Sequence, residues 1–145
     1  MANDAVKLRA ISERIIGAAI EVHRALGPGL LESAYEGCLA HELTLQGLRF
    51  ERQRDLPLRY KGLAVEAAYR IDFVIEGSIL VEMKAVSDLL PIHEAQVLTY
   101  LRLSGLDVGL LMNFHARLLR NGIRRFARPG ASLPLLPSND GDEEA

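Results

Sequence analysis

Between residues 5 and 26 apolar side chains recur at helical spacing (Val6, Ile11, Ile15, Ala18, Ala19, Val22, Leu26), and Gly27-Pro28-Gly29 closes the segment. The pattern predicts a first helix. A second is predicted from about Leu30, with Leu31, Tyr35, Leu39 and Leu43 at steps of four as its inward stripe and Gly47 just past its end. From Leu48 to Val86 the period shortens to that of strands. Leu56–Tyr60, Tyr69–Ile75 and Ile79–Val86 are separated by turn signals at Lys61-Gly62 and Glu76-Gly77, which predicts about three antiparallel strands. Pro91 suits the first turn of a third helix that stops at Gly105. The nearly unbroken apolar run Leu106–Phe114 reads as a buried strand, and Asn121-Gly122 as a tight turn into a short, Arg-rich edge strand. Helix, helix, about three strands, helix, strand is an α/β order, expected to give a mixed sheet flanked by helices.

Charges interrupt this pattern where it is most apolar. Ile71 to Ala85 reads IDFVIEGSILVEMKA, and an uncompensated charge in such a hairpin costs several kcal/mol. Glu82 and Lys84 share a strand face because side chains alternate with period two. Whether Asp72 joins them depends on the turn. A strict two-residue loop at Glu76-Gly77 pairs position 72 with 81 and puts Asp72 on the opposite face, whereas a three-residue loop or a bulge aligns it with Glu82. If the three converge, two neighbouring carboxylates call for a hard cation between them, and Mg2+ accepts one or two carboxylates while keeping several waters. A lysine beside them suits a phosphate, and a metal-activated water suits phosphodiester hydrolysis. If they do not converge, Glu82 and Lys84 form a same-face ion pair and Asp72 stands at the strand's exposed start.

Composition narrows the class without changing it. With 145 residues, 49% hydrophobic and 25% charged, the chain is expected to be one globular domain over 1–128 followed by a disordered acidic tail over 129–145. The net charge of −2 conceals a basic body, because the tail holds Asp140, Asp142, Glu143 and Glu144 and no Lys or Arg. Arg49, Arg52, Arg54, Arg59 and Lys61 form one basic cluster, and Arg117, Arg120, Arg124, Arg125 and Arg128 another. Either a polyanion is held there or these are solvated edge-strand faces that block sheet-to-sheet association. Cys38 is the single cysteine, and with no signal peptide and no apolar run of about 18 residues the expected compartment is a cytoplasm, with no membrane partner. A mean hydropathy of +0.10 raises the expectation of a homodimer or higher homo-oligomer, against which a monomer mass in light scattering would count.

Asp72, followed on the next strand by Glu82-Met83-Lys84, resembles the PD-(D/E)XK nuclease signature, with Ile71 where the motif names proline. The element order is similar to that superfamily's αβββαβ core with an extra N-terminal helix. Gly29-Leu30-Leu31-Glu32-Ser33-Ala34-Tyr35, with His23 before it and Gly109 to Phe114 after it, resembles the GxxExxY proteins of the same superfamily over about residues 8–126. The resemblance implies Asp72, Glu82 and the Met83 backbone carbonyl as ligands of Mg2+ or Mn2+, Lys84 as the catalytic lysine and Glu32 as an acid contributed by a helix. It also implies Gln96 and Tyr100 as the QxxxY pair of RecB-type domains, four apart and so on one helix face. His23 is either a further metal ligand or a packed, hydrogen-bonded side chain. Tyr35 is expected in the core, and Cys38 has no partner that would make it a nucleophile. Arg124 and Arg125 are the expected phosphate contacts. The function implied is a Mg2+-dependent nuclease on nucleic acid, DNA before RNA, with weak or structure-selective specificity. The alternative is a non-catalytic nucleic-acid-binding or protein-assembly module that keeps the fold.

Overall fold

A computed structural model describes residues 2–66 and 69–130. The expected acidic tail lies, from residue 131 onward, outside the described residues. Three helices, α1 (Ala2–Leu26), α2 (Glu32–Leu45) and α3 (Pro91–Ser104), flank a five-stranded sheet built from β1 (Phe50–Asp55), β4 (Arg70–Ile75), β5 (Ile79–Lys84), β6 (Val108–Asn113) and β7 (Ile123–Ala127). A separate hairpin pairs β2 (Leu58–Tyr60) with β3 (Leu63–Val65). The sheet order is β1-β4-β5-β6-β7, antiparallel throughout except for the parallel β5–β6 pair. That parallel step needs a crossover, and α3 supplies it.

The sheet is buried on both faces, which explains why β6 is buried at all six positions and reads as a continuous apolar run. On one face α1 and α2 close a core around Ile15, Ala18, Tyr35, Leu39, Phe73 and Met83. On the other, Val97, Tyr100 and Leu101 of α3 pack on Leu80 and Leu111. Gly109 permits this approach, because a Cβ there would stand 2.9 Å from Val97 Cγ1. α3 starts at the expected Pro91 and ends on Gly105 in the left-handed conformation (φ 77°).

One strand differs from expectation. Of Leu56–Tyr60, only Leu58–Tyr60 is strand, and it belongs to the small hairpin. The sheet's own first strand is β1, Phe-Glu-Arg-Gln-Arg-Asp, exposed at every position but the first. As an edge strand with charges along its length it has no apolar alternation to read. The turn signal at Asn121-Gly122 falls in a short 3-10 turn, Leu119–Gly122, that leads into β7.

Candidate active site

The loop at the tip of the β4–β5 hairpin sets the register. Ile75 pairs with Ile79, and Glu76-Gly77-Ser78 between them form a three-residue loop with φ of 53° at Glu76 and 62° at Gly77. Val74↔Leu80 and Phe73↔Val81 follow, which places Asp72 across from Glu82. Beyond Phe73↔Val81 the backbone ladder stops and side chains take it over. The Asp72 N–H donates to Glu82 Oε1 at 3.0 Å, and the Met83 N–H donates to Asp72 Oδ2 at 2.9 Å. On its other side β4 breaks from β1 at the same residue. The pairs Arg52↔Phe73 and Arg54↔Ile71 leave Gln53 opposite Asp72, and Gln53 turns into the left-handed region at φ 49°. Asp72 is therefore where the middle of the sheet opens on both sides.

Around this opening the charges gather. Glu82 is 3% exposed, and its carboxyl is pushed up to about 8, first by burial and then by the neighbouring Asp72. Asp72 is also raised, mainly by burial, against the pull of the Met83 N–H and the Gln53 amide. Glu32, in the first turn of α2, is raised by partial desolvation, while Lys84 acts to lower it. Lys84 lowers all three acids electrostatically, yet among the described residues it forms no ion pair within 4.0 Å. Tyr100 is raised by burial and by Glu82, which places it beside the same opening, and Gln96 Nε2 donates to its hydroxyl at 3.1 Å. Asp72, Glu82, Lys84, Glu32, Tyr100 and Gln96 thus come together.

His23 and the Arg124–Arg125 pair lie apart from this group. His23 is buried with Nε2 bound to the Ala116 carbonyl at 2.8 Å, so its visible contact is to the loop after β6. Arg124 and Arg125 are neighbours in a strand and face opposite sides of the sheet. Arg124 reaches Glu94 at 3.9 Å and the Asn121 carbonyl at 3.2 Å, so the structure does not gather this pair at the acids. Tyr35 is in the core as expected, its hydroxyl donating to the Gly27 carbonyl and accepting from the Leu30 N–H, which holds the turn between α1 and α2.

Two residues were missed. Gln53 Nε2 bridges Asp72 Oδ1 at 3.1 Å and Glu36 Oε1 at 2.6 Å, and Glu36 is itself paired with Arg52 at 2.9 Å. Glu36 lies four residues from Glu32, a helical spacing that the sequence did show.

The residues present fit a sparsely ligated hard cation. No group of three or more His, Cys, Asp or Glu suited to holding a metal ion occurs among the described residues, so an all-protein cage is not what is built here. Two carboxylates facing each other at a gap, both raised chiefly by burial, are the oxygen set that Mg2+ accepts with waters completing it.

A family model for the PD-(D/E)XK nuclease superfamily matches residues 9–126, and the chain belongs to that superfamily. No curated protein and no solved structure matches significantly. Superfamily membership points to nuclease chemistry on nucleic acid. No helix among the described residues is long and apolar enough to cross a membrane.

Proposed function

We propose that this protein is a Mg2+- or Mn2+-dependent nuclease that hydrolyses phosphodiester bonds, in DNA rather than RNA. The observation that carries the reading is the placement of Asp72 opposite Glu82 where β4 parts from both neighbours, with Lys84 on the Glu82 face. Asp72 and Glu82 would hold the ion, with the Met83 carbonyl beside them. When bound, the ion supplies an activated water and neutralises phosphoryl charge. Lys84 presents its ammonium to the scissile phosphate, which a side chain with no ion pair among the described residues is able to do. Gln53 and the Met83 N–H hold the Asp72 carboxylate in place, and the Gln96 and Tyr100 pair lines the α3 side of the opening. Glu32 adds negative charge on the α2 side. We place the catalytic domain at residues 1–128, in the cytoplasm, acting as a homo-oligomer.

Cleavage of single-stranded, duplex and branched substrates should require Mg2+ or Mn2+ and should fall at least a hundredfold in Asp72→Asn, Glu82→Gln and Lys84→Ala, with the fold intact by circular dichroism. Lys84→Ala should keep metal binding. Undiminished cleavage by Asp72→Asn would overturn the assignment.

One observation favours the second reading, a module that binds without cleaving. Asp72 and Glu82 each already accept a backbone N–H, so they stitch the opened ladder whether or not a metal is bound. Metal binding with no cleavage of any nucleic acid would select it.

A further inference from the structure

Arg117 and Arg120 lie not on β7 but on the loop and 3-10 turn before it, and both are exposed. With Arg24 from the last turn of α1 they line a cleft of about 410 Å3, which His23, Gly27 and Leu119 also border. No acidic side chain among the described residues lines this cleft. Arg24 is met by Glu21 at 3.1 Å, whereas Arg117 and Arg120 form no ion pair and no side-chain hydrogen bond among the described residues. Neither is spent on the carbonyls that end α1. Two uncompensated guanidinium groups in one concavity repel each other, and an anion between them removes that repulsion.

The turn that carries them is held firmly. His23 Nε2 binds the Ala116 carbonyl at 2.8 Å, the Ala116 N–H donates to Asn113 O at 3.2 Å, and the Asn121 N–H donates to Leu118 O at 3.1 Å. It leaves the sheet beside the carboxylate and lysine cluster. The Phe114 N–H donates to Lys84 O at 2.8 Å, and the Phe114 ring stacks on Tyr35 with centroids 4.8 Å apart. The cleft and Lys84 therefore share the end of the sheet where β5 and β6 finish, with Phe114 between them. Gly27, on the cleft wall, has no side chain to block a backbone laid across it.

We propose that this cleft is a phosphate-backbone site, in which Arg117 and Arg120 grip a nucleic-acid strand a few nucleotides from the phosphate held at Asp72, Glu82 and Lys84. The proposal rests on the nuclease reading for the position of the scissile bond. Guanidinium groups bind phosphate in a planar, two-point fashion and read no bases, so this site positions the strand without choosing its sequence.

The full chain, with Ca2+ in place of Mg2+ to suppress cleavage, is titrated into fluorescein-labelled single-stranded DNA, duplex DNA and single-stranded RNA, and anisotropy is followed across a salt series. The double variant Arg117→Ala, Arg120→Ala should bind about tenfold or more weakly, with a log–log salt slope shallower by about two. Arg117→Lys, Arg120→Lys should restore the slope, and Arg9→Ala, at the far end of α1, should change neither quantity. The three probes distinguish a DNA strand from an RNA strand. Wild-type affinity and slope in the double alanine variant, or no binding of any probe by the wild type, overturns the proposal. Cleavage is scored separately in Mg2+. Cleavage with unchanged binding in the double variant removes the cleft and leaves the nuclease, whereas binding through the cleft with no cleavage by the wild type removes the nuclease and leaves the cleft.

Discussion

At the scale of single residues, Glu82 is the most informative side chain. Its carboxyl titrates near 8 in the fold against 4.5 when exposed. Below about 4.5 it is protonated in the folded and unfolded chains alike and has no effect on stability. Between 4.5 and about 8 the unfolded chain has released a proton that the fold retains, so metal-free stability falls as pH rises through that window and levels off above it. Asp72 and Glu32 are shifted in the same direction and add to the slope. In EDTA, denaturant unfolding should show stability declining from mildly acidic to mildly alkaline pH, and Glu82→Gln should flatten the decline. The variant should be more stable than wild type near pH 8 by up to roughly 3–5 kcal/mol, since one unit of pKa corresponds to about 1.4 kcal/mol. Equal slopes in the two proteins would mean that Glu82 is ionised in the metal-free fold. Saturating Mg2+ should stabilise wild type and not Glu82→Gln, because a ligand stabilises only the fold that binds it.

At the scale of elements, legibility followed burial. α1 and α3 were readable because one face of each is apolar and Gly or Pro marks an end. β5 and β6 were readable because the sheet buries them on both sides. β1 was not, since an edge strand of Phe-Glu-Arg-Gln-Arg-Asp meets water along most of its length. The acids and lysine of the site were visible as residue types on strands, but their convergence was not. It hinges on one residue of loop length at 76–78, which no periodicity encodes. Gln53 was hidden for the same reason, being an ordinary side chain on the unread strand. Its left-handed backbone within β1 costs on the order of 1 kcal/mol, which the amide tie to Asp72 and Glu36 offsets. Gln53→Gly separates the two effects, since glycine tolerates φ 49° and carries no amide. Its unfolding free energy should stay within about 1 kcal/mol of wild type. Its Mn2+ affinity, measured by calorimetry, should fall several-fold. Unchanged affinity would show that Asp72 needs no support from β1.

At the scale of the whole molecule, the described residues of both apolar clusters lie between Leu8 and Phe126. α1 and α2 seal one face of the sheet and α3 the other, and the two edges are β1 and β7, each carrying arginines that discourage another strand from adding on. The chain leaves the sheet after β7 through Arg128, whose N–H donates to Asp107 O at 2.8 Å and whose guanidinium pairs with the Asp107 carboxylate at 2.7 Å. That clamp ties the last strand to the loop before β6. Removing residues 131–145 takes away four acids and leaves Arg128 in place. The truncated chain should unfold within a few degrees of the full chain, because a domain of this size shifts only about 2–8 °C per kcal/mol. It should also bind the labelled oligonucleotides somewhat more tightly at low salt, since four negative charges no longer compete for the basic cleft, and the difference should vanish as salt rises. A drop of more than about 8 °C would mean that Leu133, Leu135 and Leu136 pack on the body and that the domain extends past residue 128.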